Sequence, residues 1–138
     1  MAQSVPSAAL IPCLQLVPVD WKVAEVAVNN GRSVIILDHD RGGKAAMVVT
    51  LTTAAACDLA GATEVTSEQR GATRWYRARD NTRAYKFSGG CVTQRFSAAA
   101  PSALRMRDTA ATELGFVTRE QLGQALSRRS GGRLQLDP

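Results

Sequence analysis

The sequence is poor in the residues from which most active sites are built. It contains one histidine and three cysteines, with no Cys-x-x-Cys pair and no nucleotide-binding or recognition-helix motif. One histidine leaves too few ligands for a closed zinc site, and the carboxylates near it would hold a cation only weakly. We therefore expect no metal and no cofactor. The longest apolar runs are also too short to span a bilayer.

The length indicates a single domain over residues 1–138. A chain of this size buries roughly two-thirds of its unfolded surface, so a core forms without metal or disulfide support. We expect residues 1–12 to be irregular or to include a start added for expression. Two prolines interrupt the apolar stretch Val5–Cys13 and no basic residue precedes it, which argues against a cleavable signal peptide.

Positive charge is concentrated in the middle of the chain. Residues 1–69 carry four cations and seven acids, residues 70–107 carry nine and one, and residues 108–138 carry four of each. A local excess of this kind raises the concentration of anionic partners at one surface, and salt weakens it. Fourteen of the seventeen cations are arginine, which also fits the codon bias of a GC-rich genome.

Short runs rich in β-branched residues predict six strands. They cover Trp21–Val28, Ser33–Asp38, Ala46–Thr53, Thr73–Arg79, Arg83–Ser88 and Cys91–Phe96. The turns at Asn30-Gly31 and Gly42-Gly43 favour antiparallel hairpins among the first three. The segment after Thr53 loses this periodicity and is expected to be a long loop with one helical turn.

The last third of the sequence changes to a helical period. Pro101–Gly115 predicts one helix, and Thr118 with Gln121 fits a capping box at the start of a second helix, which ends at Gly131. Arg133–Leu136 alternates like a short edge strand. Strands followed by helices predict an α+β fold, with an antiparallel sheet of about six strands covered by two C-terminal helices.

Four short motifs resemble a known group of proteins. Cys57–Ala62, Ser67–Gly71, Gly89–Thr93 and Gly131–Pro138 resemble segments of the extracytoplasmic domain of actinobacterial proteins that have one N-terminal membrane span and no known function. The resemblance implies an extracytoplasmic or secreted location, with a membrane tether in the native form, and it brings no activity. This sequence contains no such span, so a tether would have been removed. A cytoplasmic location is the alternative.

The cysteines are interpreted on that basis. In an exported domain, Cys57 and Cys91 are the natural disulfide pair, because each adjoins an irregular stretch rich in glycine or alanine. Alternatively, both are small buried hydrophobic residues, as free cysteines commonly are. Cys13 is then unpaired, or it is the alternative partner.

Basic and aromatic residues alternate on the strands that follow residue 73. We expect an anion to be bound by Arg74, Arg77, Arg79, Arg83 and Lys86. Arginine beside Trp75, Tyr85 and Phe87 suits an anionic envelope component or protein partner, or else single-stranded nucleic acid. The opposing interpretation is that these aromatic rings belong to the core, while the arginine head groups stay solvated.

The sequence therefore predicts a non-enzymatic, exported binding or structural module without catalytic residues. A single-stranded nucleic-acid-binding domain is one alternative. A cysteine-dependent enzyme is another, in which His39, flanked by Asp38 and Asp40, activates Cys57 or Cys91. That enzyme requires His39 to approach one of the two thiols, whereas an Asp-His-Asp triplet after a strand is also an ordinary polar turn.

Overall fold

A computed structural model describes residues 2–14, 17, 19–65, 74–77, 81–97, 114–134 and 136. Its strands are β1 (Leu10–Leu14), β2 (Trp21–Asn29), β3 (Arg32–His39), β4 (Gly43–Thr53), β5 (Thr63–Glu64), β6 (Arg74–Arg77), β7 (Thr82–Phe87), β8 (Gly90–Phe96) and β9 (Leu114–Thr118). The other described elements are one α-helix and two 3-10 turns: α1 (Arg119–Ser130), Ala2–Ser4 and Ala54–Ala56.

Seven strands form one antiparallel sheet in the order β2-β3-β4-β8-β7-β6-β5. All six predicted strands are confirmed within this sheet, the fourth of them over Arg74–Arg77. The pairing of β4 with β8 joins the first three predicted strands to the last three in a single sheet. Gly31 and Gly43 take φ angles of 77° and 84° at the first two hairpin turns. This is the left-handed conformation for which the sequence pattern required glycine.

Alternation along the central strands creates one deeply buried face. On β4, Met47, Val49 and Leu51 are almost completely buried, whereas Val48 and Thr50 between them are only half-buried. Directly opposed residues of antiparallel strands share a face, so the register carries this core across the sheet. The core residues of the neighbouring strands are Trp21, Leu37, Tyr85, Phe87, Val92 and Phe96.

A second sheet, made of β1 and β9, packs against this core face. The sequence analysis predicted neither strand, and it placed Leu114 and Gly115 at the end of a helix that began at Pro101. In the structure both residues belong to β9, while residues 101–113 lie outside the described part of the chain. Leu114 and Phe116 both pack into the core. Residues two apart share a side in a strand but not in a helix, which accounts for the difference.

The N-terminal segment belongs to the domain. Residues 1–12 were expected to be irregular or added, but Ala2–Ser4 forms a 3-10 turn and Leu10–Leu14 is a strand. Val5 and Ala8 between them are fully buried in the core. The segment is also fixed to the β2–β3 turn, where the Gly31 amide donates to the Ser4 carbonyl oxygen at 2.7 Å.

The turn between β7 and β8 closely contacts the same segment. The Ala9 amide donates to the Ser88 carbonyl oxygen at 2.9 Å, and the Ser7 hydroxyl donates to the Gly89 carbonyl oxygen at 2.8 Å. Gly89 has a φ of 71°, and a Cβ at this position would overlap the carbonyl group of Ser7. A Cβ on Gly90 would lie 2.5 Å from the Phe87 ring. The same Cβ would lie 3.0 Å from the Cβ of Ala8, so both glycines permit the N-terminal segment to approach.

Helix α1 begins and ends as predicted. The Thr118 hydroxyl accepts from the Gln121 amide at 3.1 Å, and the Gln121 side chain accepts from the Thr118 amide at 2.9 Å, which completes the capping box. Gly131 ends the helix with a φ of 61°. The helix packs against β9 and β1. The described residues thus contain one helix where two were predicted, and Arg133 and Leu134 lie outside any strand.

Candidate anion-binding surface

The β6–β7 hairpin brings four of the five predicted anion-binding residues together in two cross-strand pairs. Arg77 is directly opposite Arg83, and Arg74 is directly opposite Lys86. Directly opposed residues have Cβ atoms roughly 4.5–5.5 Å apart. Arg79, the fifth residue, lies outside the described part of the chain. The register therefore places cation beside cation twice within one hairpin.

The two pairs lie on opposite faces of the sheet. Arg83 alternates with Tyr85 and so belongs to the core face, whereas Lys86 belongs to the other face. The predicted set is therefore divided into two groups that cannot bind one small anion together. We call Arg77 and Arg83 the arginine pair. Arg77 is exposed and Arg83 is half-buried, so the pair lies where the core face reaches solvent.

The opposite face carries a further cation, Arg95, at a distance from Lys86. Lys86 and Arg95 are both exposed there, and Arg95 is opposite Thr82, four residues before Lys86 on β7. Four residues of strand span about 13 Å, so these two cations do not form one binding site. The sequence analysis did not include Arg95, although the alternation of Cys91–Phe96 would have placed it on the Lys86 face. The arginine pair is the pair of directly opposed cations on the core face of the hairpin.

The aromatic residues of β7 are part of the core and not of a binding surface. Tyr85 and Phe87 are buried, and their rings lie 5.2 Å and 5.9 Å from the ring of Phe116. They cannot stack on nucleic-acid bases, which require exposed ring faces. The opposing interpretation from the sequence, that these rings are core, is correct for both. Tyr76 is half-buried and lies opposite Ala84, on the face away from the arginine pair.

A disulfide joins the loop after β4 to the middle of the sheet. Cys57 and Cys91 are bonded, with Cα atoms 5.7 Å apart, as the sequence analysis predicted. Cys57 follows the 3-10 turn Ala54–Ala56, and Cys91 lies on β8 between Thr52 of β4 and Lys86 of β7. The bond thus fixes the loop beside the basic hairpin.

Cys13 is the one free cysteine, since the other two are bonded. It lies on β1 opposite Gly115 and is half-buried. Burial raises the pKa of the Cys13 thiol, because the low-dielectric surroundings disfavour the thiolate. The chain places this thiol in the small sheet, where it is less nucleophilic than an exposed cysteine.

His39 stabilises a turn and does not meet a cysteine. Its Nδ1 atom accepts hydrogen bonds from the amides of Arg41 at 3.1 Å and Gly42 at 3.0 Å. Its ring makes an edge contact with Trp21, with ring centroids 4.8 Å apart. Cys91 is opposite Thr52 of β4, which in turn is opposite Arg32 of β3. Arg32 is about 23 Å from His39 along β3, so Cys91 lies near the other end of the sheet. The geometry required by the cysteine-dependent enzyme is not present.

In the part of the chain that the structure describes, no three histidine, cysteine or acidic side chains group as metal ligands would. No α-helix in that part has the length and apolar character needed to cross a membrane. Comparisons with protein-family models, curated proteins and solved structures give no match to this chain.

Proposed function

We propose that this protein is an exported, non-enzymatic binding module that uses the arginine pair to bind an anionic polymer of the cell envelope. The observation that carries the proposal is the register of the β6–β7 hairpin, which sets Arg77 directly opposite Arg83. Two guanidinium groups at directly opposed positions can contact neighbouring anionic groups of one polymer.

The chemistry of arginine suits such a ligand. Guanidinium groups are planar, remain charged and present several donors in a fixed geometry that matches carboxylate or phosphate oxygens. Arg77 is exposed and Arg83 is half-buried, so a chain-like ligand lying along the rim of the sheet reaches both. The local excess of positive charge in residues 70–107 would draw a polyanion toward this hairpin.

The disulfide supports an extracytoplasmic location. Disulfides persist in oxidising compartments and are rare in the cytosol. The bond between Cys57 and Cys91 also occupies the two cysteines that the enzyme alternative needs, and the Nδ1 atom of His39 accepts bonds within a turn. These observations favour a binding role over catalysis. The burial of Tyr85 and Phe87 favours an envelope polymer over single-stranded nucleic acid, because these two rings are not exposed for base stacking.

The test compares two double variants of equal charge. Arg77→Gln/Arg83→Gln removes the arginine pair, and Arg128→Gln/Arg129→Gln removes two exposed cations from α1. Retention is measured on purified anionic cell-wall polymer and on phosphatidylglycerol vesicles. We expect the first variant to bind the polymer at least about tenfold more weakly, the loss expected for one charge-assisted contact or more, and the second to bind like the wild type.

Three results would overturn the proposal. Unchanged binding by the Arg77→Gln/Arg83→Gln variant would show that the arginine pair is not the site. Equal weakening in both variants would show that only net charge matters. Binding to a single-stranded oligonucleotide with a steep salt dependence, and none to wall polymer, would instead indicate the nucleic-acid alternative.

A further inference from the structure

The opposite edge of the large sheet carries exposed valines on an open strand. Among the described residues, β2 pairs only with β3, so its other side presents backbone amide and carbonyl groups. Val23, Val26 and Val28 retain 48%, 55% and 53% of their surface exposed. A long, apolar edge strand is a template for pairing with another strand unless charge, proline or a bulge prevents it.

Only the first half of β2 carries such protection. Lys22 lies there, and the register with β3 is interrupted between Val23 and Glu25. Bulges bend an edge and disturb further pairing. From Glu25 to Asn29 the register with β3 is regular, and Glu25 is the one charged residue in this half. The second half of β2 is therefore an edge without a bulge, and it pairs only with β3 among the described residues.

We infer that the Glu25–Asn29 edge pairs antiparallel with the same edge of a second copy of this chain. A two-fold axis perpendicular to the sheet keeps each face continuous between copies, so it opposes only residues of the same face. Centred on Ala27, it pairs Val26 of each copy with Val28 of the other, on the core face. Glu25 then lies opposite Asn29 of the other copy, so no like charges meet.

Neighbouring registers fit less well. A centre at Glu25 would oppose the two carboxylates, which is destabilising. A centre at Val26 would pair Val28 with Ala24, the residue within the bulge. The Ala27 centre also extends the existing core, since Val26 is opposite Ile35, which packs against the core, and Val28 is opposite the buried Ser33. A centre at Val28 would pair Val26 with Asn30, which lies beyond the end of β2. The centre at Ala27 is therefore the register that we infer.

Sedimentation velocity on the full chain, at concentrations from about 10 µM to about 500 µM, tests the pairing. An edge of five residues per copy is smaller than a standard interface, so a weak, concentration-dependent dimer is expected. Val26→Lys should lower the association constant of the dimer by at least about tenfold. Val19→Lys is the matched control, because Val19 is 88% exposed and precedes β2, and it should dimerise like the wild type.

Cysteine cross-linking in a Cys13→Ser background tests the register itself. With the axis centred on Ala27, position 27 of one copy lies directly opposite position 27 of the other. The Ala27→Cys variant should therefore form a disulfide-linked dimer under mild oxidation. Asn29 lies on the same face as Ala27, two residues from the centre. Position 29 of the two copies would therefore be about 13 Å apart along the strands, and the Asn29→Cys variant should not form a disulfide-linked dimer. A strictly monomeric wild type overturns the inference. Equal linking of Ala27→Cys and Asn29→Cys overturns the register.

Discussion

Replacing Gly89 by alanine tests whether the N-terminal segment is part of the folded core. Gly89 lies in the β7–β8 turn with a φ of 71°, and the added Cβ would overlap the carbonyl group of Ser7. Backbone atoms cannot move aside cheaply, so the segment that carries Val5 and Ala8 must leave its place. Gly31→Ala is the matched control, since Gly31 has a φ of 77° with nothing within 4 Å of a Cβ.

The expected magnitude follows from what each substitution disturbs. An alanine held in the left-handed conformation costs roughly 1 kcal/mol, and this applies to both variants. Gly89→Ala additionally exposes Val5, whose complete burial contributes about 1.5–3 kcal/mol. We therefore expect the free energy of unfolding to fall by about 2.5–4 kcal/mol for Gly89→Ala and by about 1 kcal/mol for Gly31→Ala.

Urea denaturation followed by circular dichroism gives both free energies of unfolding. Hydrogen exchange locates the effect, because the Ala9 and Gly31 amides donate to Ser88 and Ser4 and should lose protection in Gly89→Ala. Losses of stability in the two variants that agree within about 0.5 kcal/mol would refute the reasoning, since that is the spread of ordinary surface substitutions. The N-terminal segment would then contribute little to the core.

Two further predictions concern the cysteines. Replacing Cys57 and Cys91 by alanine should lower the free energy of unfolding by about 4 kcal/mol, as the chain-entropy model gives for a separation of 34 residues. Alkylation of the unreduced, denatured protein should label Cys13 alone, and labelling of three cysteines would contradict the disulfide. Since burial raises the pKa of Cys13, iodoacetamide should label it more slowly in the folded than in the urea-unfolded chain near neutral pH. Equal labelling rates in the folded and unfolded chains would contradict this prediction. For the same reason, the free energy of unfolding should fall as the pH rises through the pKa that the Cys13 thiol has in the folded protein.

The sequence was sufficient for elements whose signals are local. Strands β2, β3 and β4 follow from runs of valine and isoleucine between glycine turns, and α1 follows from the reciprocal bonds of Thr118 and Gln121. Short-range rules of this kind do not depend on what the element packs against. The Cys57–Cys91 pair was also predicted, from the expected export of the domain and from the irregular glycine- or alanine-rich stretch beside each cysteine.

Other elements depend on partners that are distant in the sequence. β1 contains Pro12 and is paired through β9, more than a hundred residues later, so no local pattern indicates it. Leu114 and Phe116 fit a strand only once the core that receives them is known. The composition of the basic hairpin was evident, but only the register shows that Arg77 meets Arg83 while Lys86 faces away.

The pairing of β1 with β9 also determines when folding can finish during synthesis. The ribosome makes β1 about a hundred residues before its partner β9, which is complete only after Thr118 has been added. Until then β9 does not cover the face formed by Met47, Val49 and Leu51, and β1 has no strand to pair with. We conclude that the strands β2 to β4, once made, expose this hydrophobic surface until β9 emerges, and that a chaperone would recognise the nascent chain in this interval.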